Sequence, residues 1–292
     1  MRHALGRPRA WPEEEVDIPM SVIAIDLGNT RIGMGLYTRA KSADPAIRIG
    51  VETMEAQLPS ALEKLIGSGR AGGNPAPDGI VLASVNPPLT ARVVELARHA
   101  SGFAPALIGV DLDIPLRSRL ADPRTVGVDR LLGALCAYVN TQQACAIISA
   151  GTALVVDCID AEGVFLGGAI APGLTMGAKA LQAGAAQLPL ASLAAPDAPQ
   201  GDSSRPPAPF GRDTMEALNL GLYAAARGAV RELLERYAEH LGSWPHVVAT
   251  GGDARRVLDA SGLVDSFIPD LVLQGAALVW EHHHGREGED EG

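Results

Sequence analysis

The segment Asp26-Leu27-Gly28-Asn29-Thr30 places a carboxylate at the end of an apolar run and follows it with Gly and Asn, which tolerate φ > 0 in a tight reversal. Such a turn gathers backbone N–H groups at one point, where a phosphate satisfies them, and Asp26 is placed to hold Mg2+ directly or through water. An ordinary hairpin turn has the same composition, so the segment alone leaves the two readings level. The pattern recurs at Ala150-Gly151-Thr152-Ala153. A third glycine site, Thr250-Gly251-Gly252-Asp253, falls between a strand and a helix, where nucleotides dock in open α/β sheets. Gly167-Gly168 and Pro172-Gly173 add further points of close backbone approach. The recurrence favours nucleotide binding over unrelated turns. Gly127-Val128-Asp129-Arg130 opens an apolar helix. Asp129 there is either a partner of the helix dipole or a general base, with Arg130 as a clamp on a substrate carboxylate. A capping role does not call for the adjacent Arg, which favours the second.

These residues need a scaffold of alternating strands and helices. Val22–Asp26 and Arg31–Tyr37 form a hairpin, residues 55–66 a helix, and Ile80–Val85 a buried strand. Pro87-Pro88 force a turn before a helix over Thr90–His99, and Ala106–Val110 is another strand. Val128–Val139 is apolar almost all round, as in a helix buried between layers. The pattern then restarts with strands Ala144–Ser149, Ala153–Ile159 and Val164–Ile170, and a helix over Leu174–Ala183. Residues 192–211 hold five prolines and form a loop. Asp213 or Thr214 caps a long helix to about Leu241; strand His246–Thr250 and a closing helix over Gln274–Trp280 follow. Two strand–Gly turn–strand units imply two lobes, 20–142 and 143–284. Residues 1–19 are expected to be a disordered leader, with Met20 as a candidate translation start, and 285–292 an acidic tail.

Composition narrows the function classes. Of 292 residues 47% are hydrophobic, enough to bury a sizeable core. A formal charge of -10 and only three Trp, four Tyr and four Phe argue against nucleic acid as a partner. No apolar run is long enough to span a membrane, and no secretory h-region follows the N-terminal arginines. The three cysteines, Cys136, Cys145 and Cys158, have no metal or disulfide spacing and fit a reducing cytoplasm. His282, His283 and His284 form a solvated patch rather than a catalytic site.

Seven stretches in order carry a family resemblance: AIDLGNTRIGMGLY at 24–37, ASVNPPLT at 83–90, DPRTVGVDRLLGALCAY at 122–138, AGTALVVD at 150–157, GGAIAPGLTMGAKAL at 167–181, GRDTMEALNLGLY at 211–223 and TGGDA at 250–254. Together they resemble the type III pantothenate kinases of the actin/hexokinase-like ATPase superfamily. The resemblance implies an α/β fold of two ribonuclease-H-like lobes with ATP in the cleft, and a homodimer that completes the pantothenate pocket. It implies transfer of the ATP γ-phosphoryl to pantothenate, the first step towards coenzyme A. On it, Asp26, Leu27, Gly28, Asn29, Thr30, Arg31, Ile32 and Gly33 form the first phosphate loop, with Asp26 serving Mg2+. Thr152 contacts ATP, and Asp129 accepts the hydroxyl proton. Gly127, Val128, Asp129, Arg130 and Thr214 hold pantothenate, Arg130 on its carboxylate.

Three positions depart from the family pattern. Ser149 stands where relatives carry an Asp that helps bind an activating monovalent cation, K+ or NH4+; Val155 replaces a frequent Thr, and Leu120 a frequent aromatic residue. A hydroxyl carries no charge, which puts the cation site in doubt. Two alternatives stay open on the sequence: a kinase for another small hydroxy acid, and a non-catalytic nucleotide-binding member of the fold.

Overall fold

The computed structural model describes residues 20–42, 44–71, 76–122, 125–195 and 209–285. The expected leader, nearly all of the acidic tail and most of the loop at 192–211 lie outside the described residues. The chain divides into two compact units, residues 1–142 with 162–165 and 270–292, and residues 143–161 with 166–269.

In the first unit the apolar run after Met20 becomes strand β1 (Ser21–Leu27), covered on both faces because it is the central strand. It pairs antiparallel with β2 (Arg31–Thr38), which pairs antiparallel with β3 (Ile47–Gly50). On its other side β1 runs parallel to β4 (Gly79–Ser84), and β4 parallel to β5 (Ala106–Leu107). Helices α1 (Met54–Ala71) and α2 (Pro87–Ser101) cover one face, where Leu58, Leu62 and Val93 pack on Ile23, Ile25, Leu27, Ile32 and Leu82. Each such fully buried aliphatic side chain contributes about 1.5–3 kcal/mol.

The alternate residues of β1, Ala24 and Asp26, point to the opposite face. Against the sheet pack helices α3 (Val128–Thr141) and α7 (Leu271–His284). Two glycines set their approach. A Cβ on Gly275 would lie 2.3 Å from the Leu132 carbonyl, so α7 meets α3 backbone to backbone. One on Gly79 would lie 2.3 Å from Trp280, whose ring therefore rests on the start of β4. The expectation that 271–284 belongs to the second lobe, made from chain contiguity, differs from this packing.

In the second unit β7 (Cys145–Ala150) pairs antiparallel with β8 (Ala153–Ile159) and parallel with β10 (His246–Thr250), which runs parallel to β11 (Ser266–Phe267). With β9 (Val164–Pro172) beside β8, the order β9-β8-β7-β10-β11 repeats that of the first sheet, β3-β2-β1-β4-β5. The short β6 (Arg117–Ser118) pairs with Val164 and Phe165, which group with the first unit. Helices α4 (Leu174–Gly184), α5 (Thr214–Leu241) and α6 (Ala254–Leu258) lie on one face, with Tyr223, Val230 and Leu234 against Ala146, Ile148, Val156 and Val247.

Several local expectations change. Pro87 and Pro88 are the first residues of α2 rather than a turn ahead of it; the first helical residues have no intrahelical N–H bond to lose. Strands β3, β6 and β11 are too short to show a period. Asp213, not Thr214, caps α5: its carboxylate accepts the Glu216 N–H at 2.8 Å, while Glu216 accepts the Arg212 N–H at 2.8 Å. The histidines are not a free patch: His283 bonds the Asp113 carbonyl at 2.8 Å and His284 stacks on Trp280 at 3.7 Å.

Candidate active site

In the first unit the β1–β2 reversal is closed by the Gly28 N–H donating to the Arg31 carbonyl at 3.0 Å. Neither Gly28 nor Asn29 takes a positive φ, contrary to the expectation from their types. Gly28 is instead a point of close approach, since a Cβ there would make a tight contact of 3.1 Å with the Arg31 oxygen. Asn86, from the turn before α2, donates to the Gly28 carbonyl at 3.4 Å. Asn29, Thr30 and Arg31 are exposed at the tip. Leu27 and Ile32 are fully buried in the core beneath, so only their backbone is available to a ligand. Gly33 is the direct partner of Asp26 across the hairpin.

Asp129 reaches the same end of β1. The Val85 N–H donates to the Leu27 carbonyl at 3.1 Å, and Val85 in turn lies against Gly127, which opens α3. The Asp129 carboxylate accepts the Arg130 N–H at 2.9 Å, and a Cβ on Gly127 would lie 2.4 Å from its Oδ1. Gly127 is thus the space in which this carboxylate sits. Burial raises the Asp129 pKa above the usual carboxylate range, against the pull of Arg130. Burial, with the negative charge of Asp129 beside it, pushes Asp26 up to about 7, and Arg48 opposes this. Asp26, a buried carboxylate with the negative charge of Asp129 near it, is a fitting hard-oxygen ligand for Mg2+, which takes one or two carboxylates and completes its shell with water and phosphate. Among the described residues no group of three or more His, Cys, Asp or Glu forms a denser metal cluster. Val128 and Arg130 are half-buried, and the Arg130 guanidinium lies 6.0 Å from the centre of the Phe165 ring.

The second unit gathers its own turns. The Gly151 N–H donates to the Ala153 carbonyl at 3.0 Å, the Gly173 N–H to the Thr152 carbonyl at 3.2 Å, and the Asp253 N–H to the Ala150 carbonyl at 3.1 Å. Gly251, at φ +97, lies so close to the Ala150 carbonyl that a Cβ would fall 2.2 Å from it; both the handedness and the space demand glycine. These turns border a small pocket lined by Ala150, Gly151, Pro172, Gly173, Ala226 and Asp253, among others. Arg256 lies 3.6 Å from the Asp253 carboxylate and donates to the Tyr223 hydroxyl at 2.8 Å. Thr152 is exposed beside Gly151, and Thr214 is exposed at the first position of α5. Ser149 is the cross-strand partner of both Val155 and Thr250, so two of the three family departures touch on one face of the sheet.

The candidates therefore fall into two groups, Asp26 to Gly33 with Gly127 to Arg130 in the first unit, and Gly151, Thr152 and Thr214 in the second. Sequence reasoning missed Arg48 and Asp270, which form an ion pair in the first unit. Their strand and helix start lacked a pattern to mark them, and 222 positions separate the two.

The family model for type III pantothenate kinase matches residues 22–236. A type III pantothenate kinase of Dehalococcoides mccartyi (strain ATCC BAA-2266 / KCTC 15142 / 195) is 32% identical over 262 residues, covering 89% of this chain and 97% of the relative. That of Moorella thermoacetica is 30% identical over 283 residues, covering 90% and 99%. Among solved structures, the activator of 2-hydroxyisocaproyl-CoA dehydratase from Clostridium difficile, with bound ADPNP, aligns at a TM-score of 0.55 and 16% identity over 94% of this chain and 98% of that one. Component A of the (R)-2-hydroxyglutaryl-CoA dehydratase of Acidaminococcus fermentans aligns at 0.53 and 13% identity, over 91% and 99%. These likenesses carry the fold alone.

Proposed function

This chain belongs to the type III pantothenate kinase family, and we propose that it transfers the γ-phosphoryl group of ATP to the primary hydroxyl of pantothenate, giving 4'-phosphopantothenate and ADP at the first step of coenzyme A synthesis. The assignment of roles rests above all on the Asp129 carboxylate, set beside Asp26 at the end of β1 with its pKa raised by burial. Asp129 accepts the proton of the pantothenate hydroxyl as that oxygen bonds to the γ-phosphorus and the bond to the ADP oxygen breaks. Arg130 pairs with the pantothenate carboxylate, and Gly127, Val128 and Thr214 line the acceptor. The turn from Asp26 through Gly33 takes phosphate through its backbone, as do the turns around Gly151 and Thr152 for the nucleotide. Asp26 would hold Mg2+, which supplies charge neutralisation on the phosphates. The family match disfavours a different acceptor or a non-catalytic role.

A homodimer is part of the proposal. Ile170 at the end of β9, Met176 and Leu181 on α4, and Phe210 are exposed large apolar residues of the second unit, the kind of surface that a subunit interface buries. We also place the enzyme in the cytoplasm, in keeping with three free, buried cysteines. No helix among the described residues is long and apolar enough to cross a membrane. With Ser149 flanked by Val155 and Thr250, no carboxylate is offered at that point to a monovalent cation, and K+ or NH4+ should stimulate little.

The test is an ADP-release assay with pantothenate, ATP and Mg2+, run in Na+ and in K+ buffer beside Asp129→Asn. Turnover that requires pantothenate and falls by roughly 10² or more in the variant is expected. Near-normal turnover of the variant would remove Asp129 as the base, and no turnover of a folded, ATP-binding wild type would sink the acceptor assignment.

A further inference from the structure

We propose that Asn86 is a positioning residue for the phosphate turn, its side-chain amide holding the Gly28 carbonyl and so setting the direction in which the next backbone N–H is presented to an anion. The inference rests on the reading of Asp26 to Gly33 as the first phosphate loop and adds to it a residue from outside the hairpin.

The start of α2 explains why this side chain is available. Asn86 stands at the N-cap position, where an Asn side chain usually accepts the N–H of the second or third helical residue. Here the first two helical residues are Pro87 and Pro88, so the second has no N–H to give, and the Leu89 N–H goes to the Asn86 carbonyl at 3.0 Å. No side-chain cap forms. Hydroxyl groups on either side fix the Asn86 backbone instead. Its N–H donates to Ser84 Oγ at 3.1 Å, and its carbonyl accepts the Thr90 hydroxyl at 3.1 Å. That leaves the Ser84 hydroxyl to donate to Thr90 Oγ1 at 2.8 Å, which closes the ring. From this frame the Asn86 amide nitrogen donates to the Gly28 carbonyl at 3.4 Å. A residue serving only the helix start would spend its side chain on the helix.

The turn shows what the bond does. A hydrogen-bonded pair across antiparallel strands ordinarily exchanges two bonds. Gly28 and Arg31 make one: the Gly28 N–H donates to the Arg31 carbonyl, while among the described residues the Gly28 carbonyl accepts only from Asn86. That carbonyl and the Asn29 N–H belong to one planar trans peptide and point in opposite directions, so holding the first fixes the second. Asn29 is exposed at the tip, and its N–H has no hydrogen-bond partner among the described residues. The far side of the turn is held in the same manner, by the Val51 N–H on the Thr30 carbonyl at 3.2 Å. A backbone donor anchored in this way meets developing charge without reorganising.

The experiment measures ATP binding by calorimetry, and the KM for pantothenate, for the full chain and for Asn86→Ala and Asn86→Ser, with thermal midpoints recorded alongside. Asn86→Ala removes the amide. Asn86→Ser brings a side chain favoured at helix starts, but one bond too short to reach Gly28 as the amide does. Both variants are expected to raise the Kd for ATP by about threefold to tenfold, the range of one lost neutral hydrogen bond, with the KM for pantothenate within about twofold of the parent. If Asn86→Ala does not fold, Asn86→Ser decides. ATP affinity equal to the wild type in the folded variants, whatever their midpoints, overturns the proposal. So does a loss in Asn86→Ala that Asn86→Ser restores, which would assign the residue to the helix start, or a loss shared equally by ATP and pantothenate, which would assign it to the general fold. A wild type that binds no ATP would instead strike the phosphate-loop assignment beneath it.

Discussion

Replacing Gly127 with Ala should disable the enzyme while leaving it folded. The backbone at 127, with φ -55 and ψ 133, suits any L residue, so Ala brings no torsional strain. The added methyl would lie 2.4 Å from Asp129 Oδ1, and 3.4 Å from Val85, which is ordinary contact. Carbon and oxygen need about 3.2 Å or more, so the carboxylate must withdraw by nearly 1 Å. A displacement of that size in a reacting group costs about 10²-fold in rate. The bond from the Arg130 N–H to Oδ1 is stretched or lost, worth about 1 kcal/mol, and a similar amount returns because Ala restricts the unfolded chain more than Gly. The expected outcome is a kcat for pantothenate phosphorylation down by about 10², an unchanged KM for ATP, and a thermal midpoint within a few degrees of the parent. The double variant with Asp129→Asn should fall no further than Asp129→Asn alone, because both act through one carboxylate. A Gly127→Ala enzyme within threefold of the parent, or a double variant whose losses multiply, would refute the reasoning.

Other expectations concern stability and ions. Burial pushes Glu281 from 4.5 up to about 7, so the folded state holds this proton more tightly and loses stability as pH climbs from about 4.5 through 7. Glu281→Gln keeps an acceptor for the Ala40 N–H and removes that penalty; urea unfolding should show a gain of up to about 3 kcal/mol at pH 8 and almost none near pH 4.5. A gain independent of pH would contradict this. Gly275→Ala, which sets a methyl 2.3 Å from the Leu132 carbonyl, should cost about 2 kcal/mol or more as α7 is pushed off α3, and an unshifted melt would exclude the close crossing. Ser149→Asp should introduce stimulation by K+ that the parent lacks, read as the ratio of turnover in K+ and Na+ buffers; a ratio near one in both would free the cation question from this position.

The hairpin at 22–37, the glycine turns and the carboxylate at the head of a buried helix were legible because each is local: strand alternation, a turn and a helix start are written within a few residues of one another. Strand β8 and strand β10 fall at the expected residues for the same reason. What the residues alone did not disclose depends on distant partners. Helix α7 packs on β1, although it follows the second unit in the chain, with Gly275 allowing it to meet α3 at Leu132 backbone to backbone. The ion pair of Arg48 with Asp270 was not legible because β3 is four residues long and the partners lie far apart in the chain. The handedness expected at Gly28 and Asn29 is instead found at Arg39 and Ala40, with φ of 51 and 50, in a turn closed by mutual Thr38 and Lys41 bonds. No residue type there announces a left-handed turn; the Glu281 carboxylate, accepting the Ala40 N–H, helps to hold it.

The two units share one strand order, and they differ in the charge carried at the end of the central strand. Asp26 is the penultimate residue of β1, with Gly33 opposite it on the antiparallel neighbour and Ala83 on the parallel one. Ser149 is the penultimate residue of β7, with Val155 and Thr250 in the corresponding places. A carboxylate at such a strand end is costly: burial lifts the Asp26 pKa, and the positive charge of Arg48 offsets part of this. Gly33 sets no side chain beside Asp26, whereas Val155 sets one beside Ser149 in the second unit. That unit therefore offers its turns as backbone donors, with no fixed charge at the strand end. The two departures expected from the family resemblance, Ser149 and Val155, are direct cross-strand partners, so we read them as one coupled change rather than two.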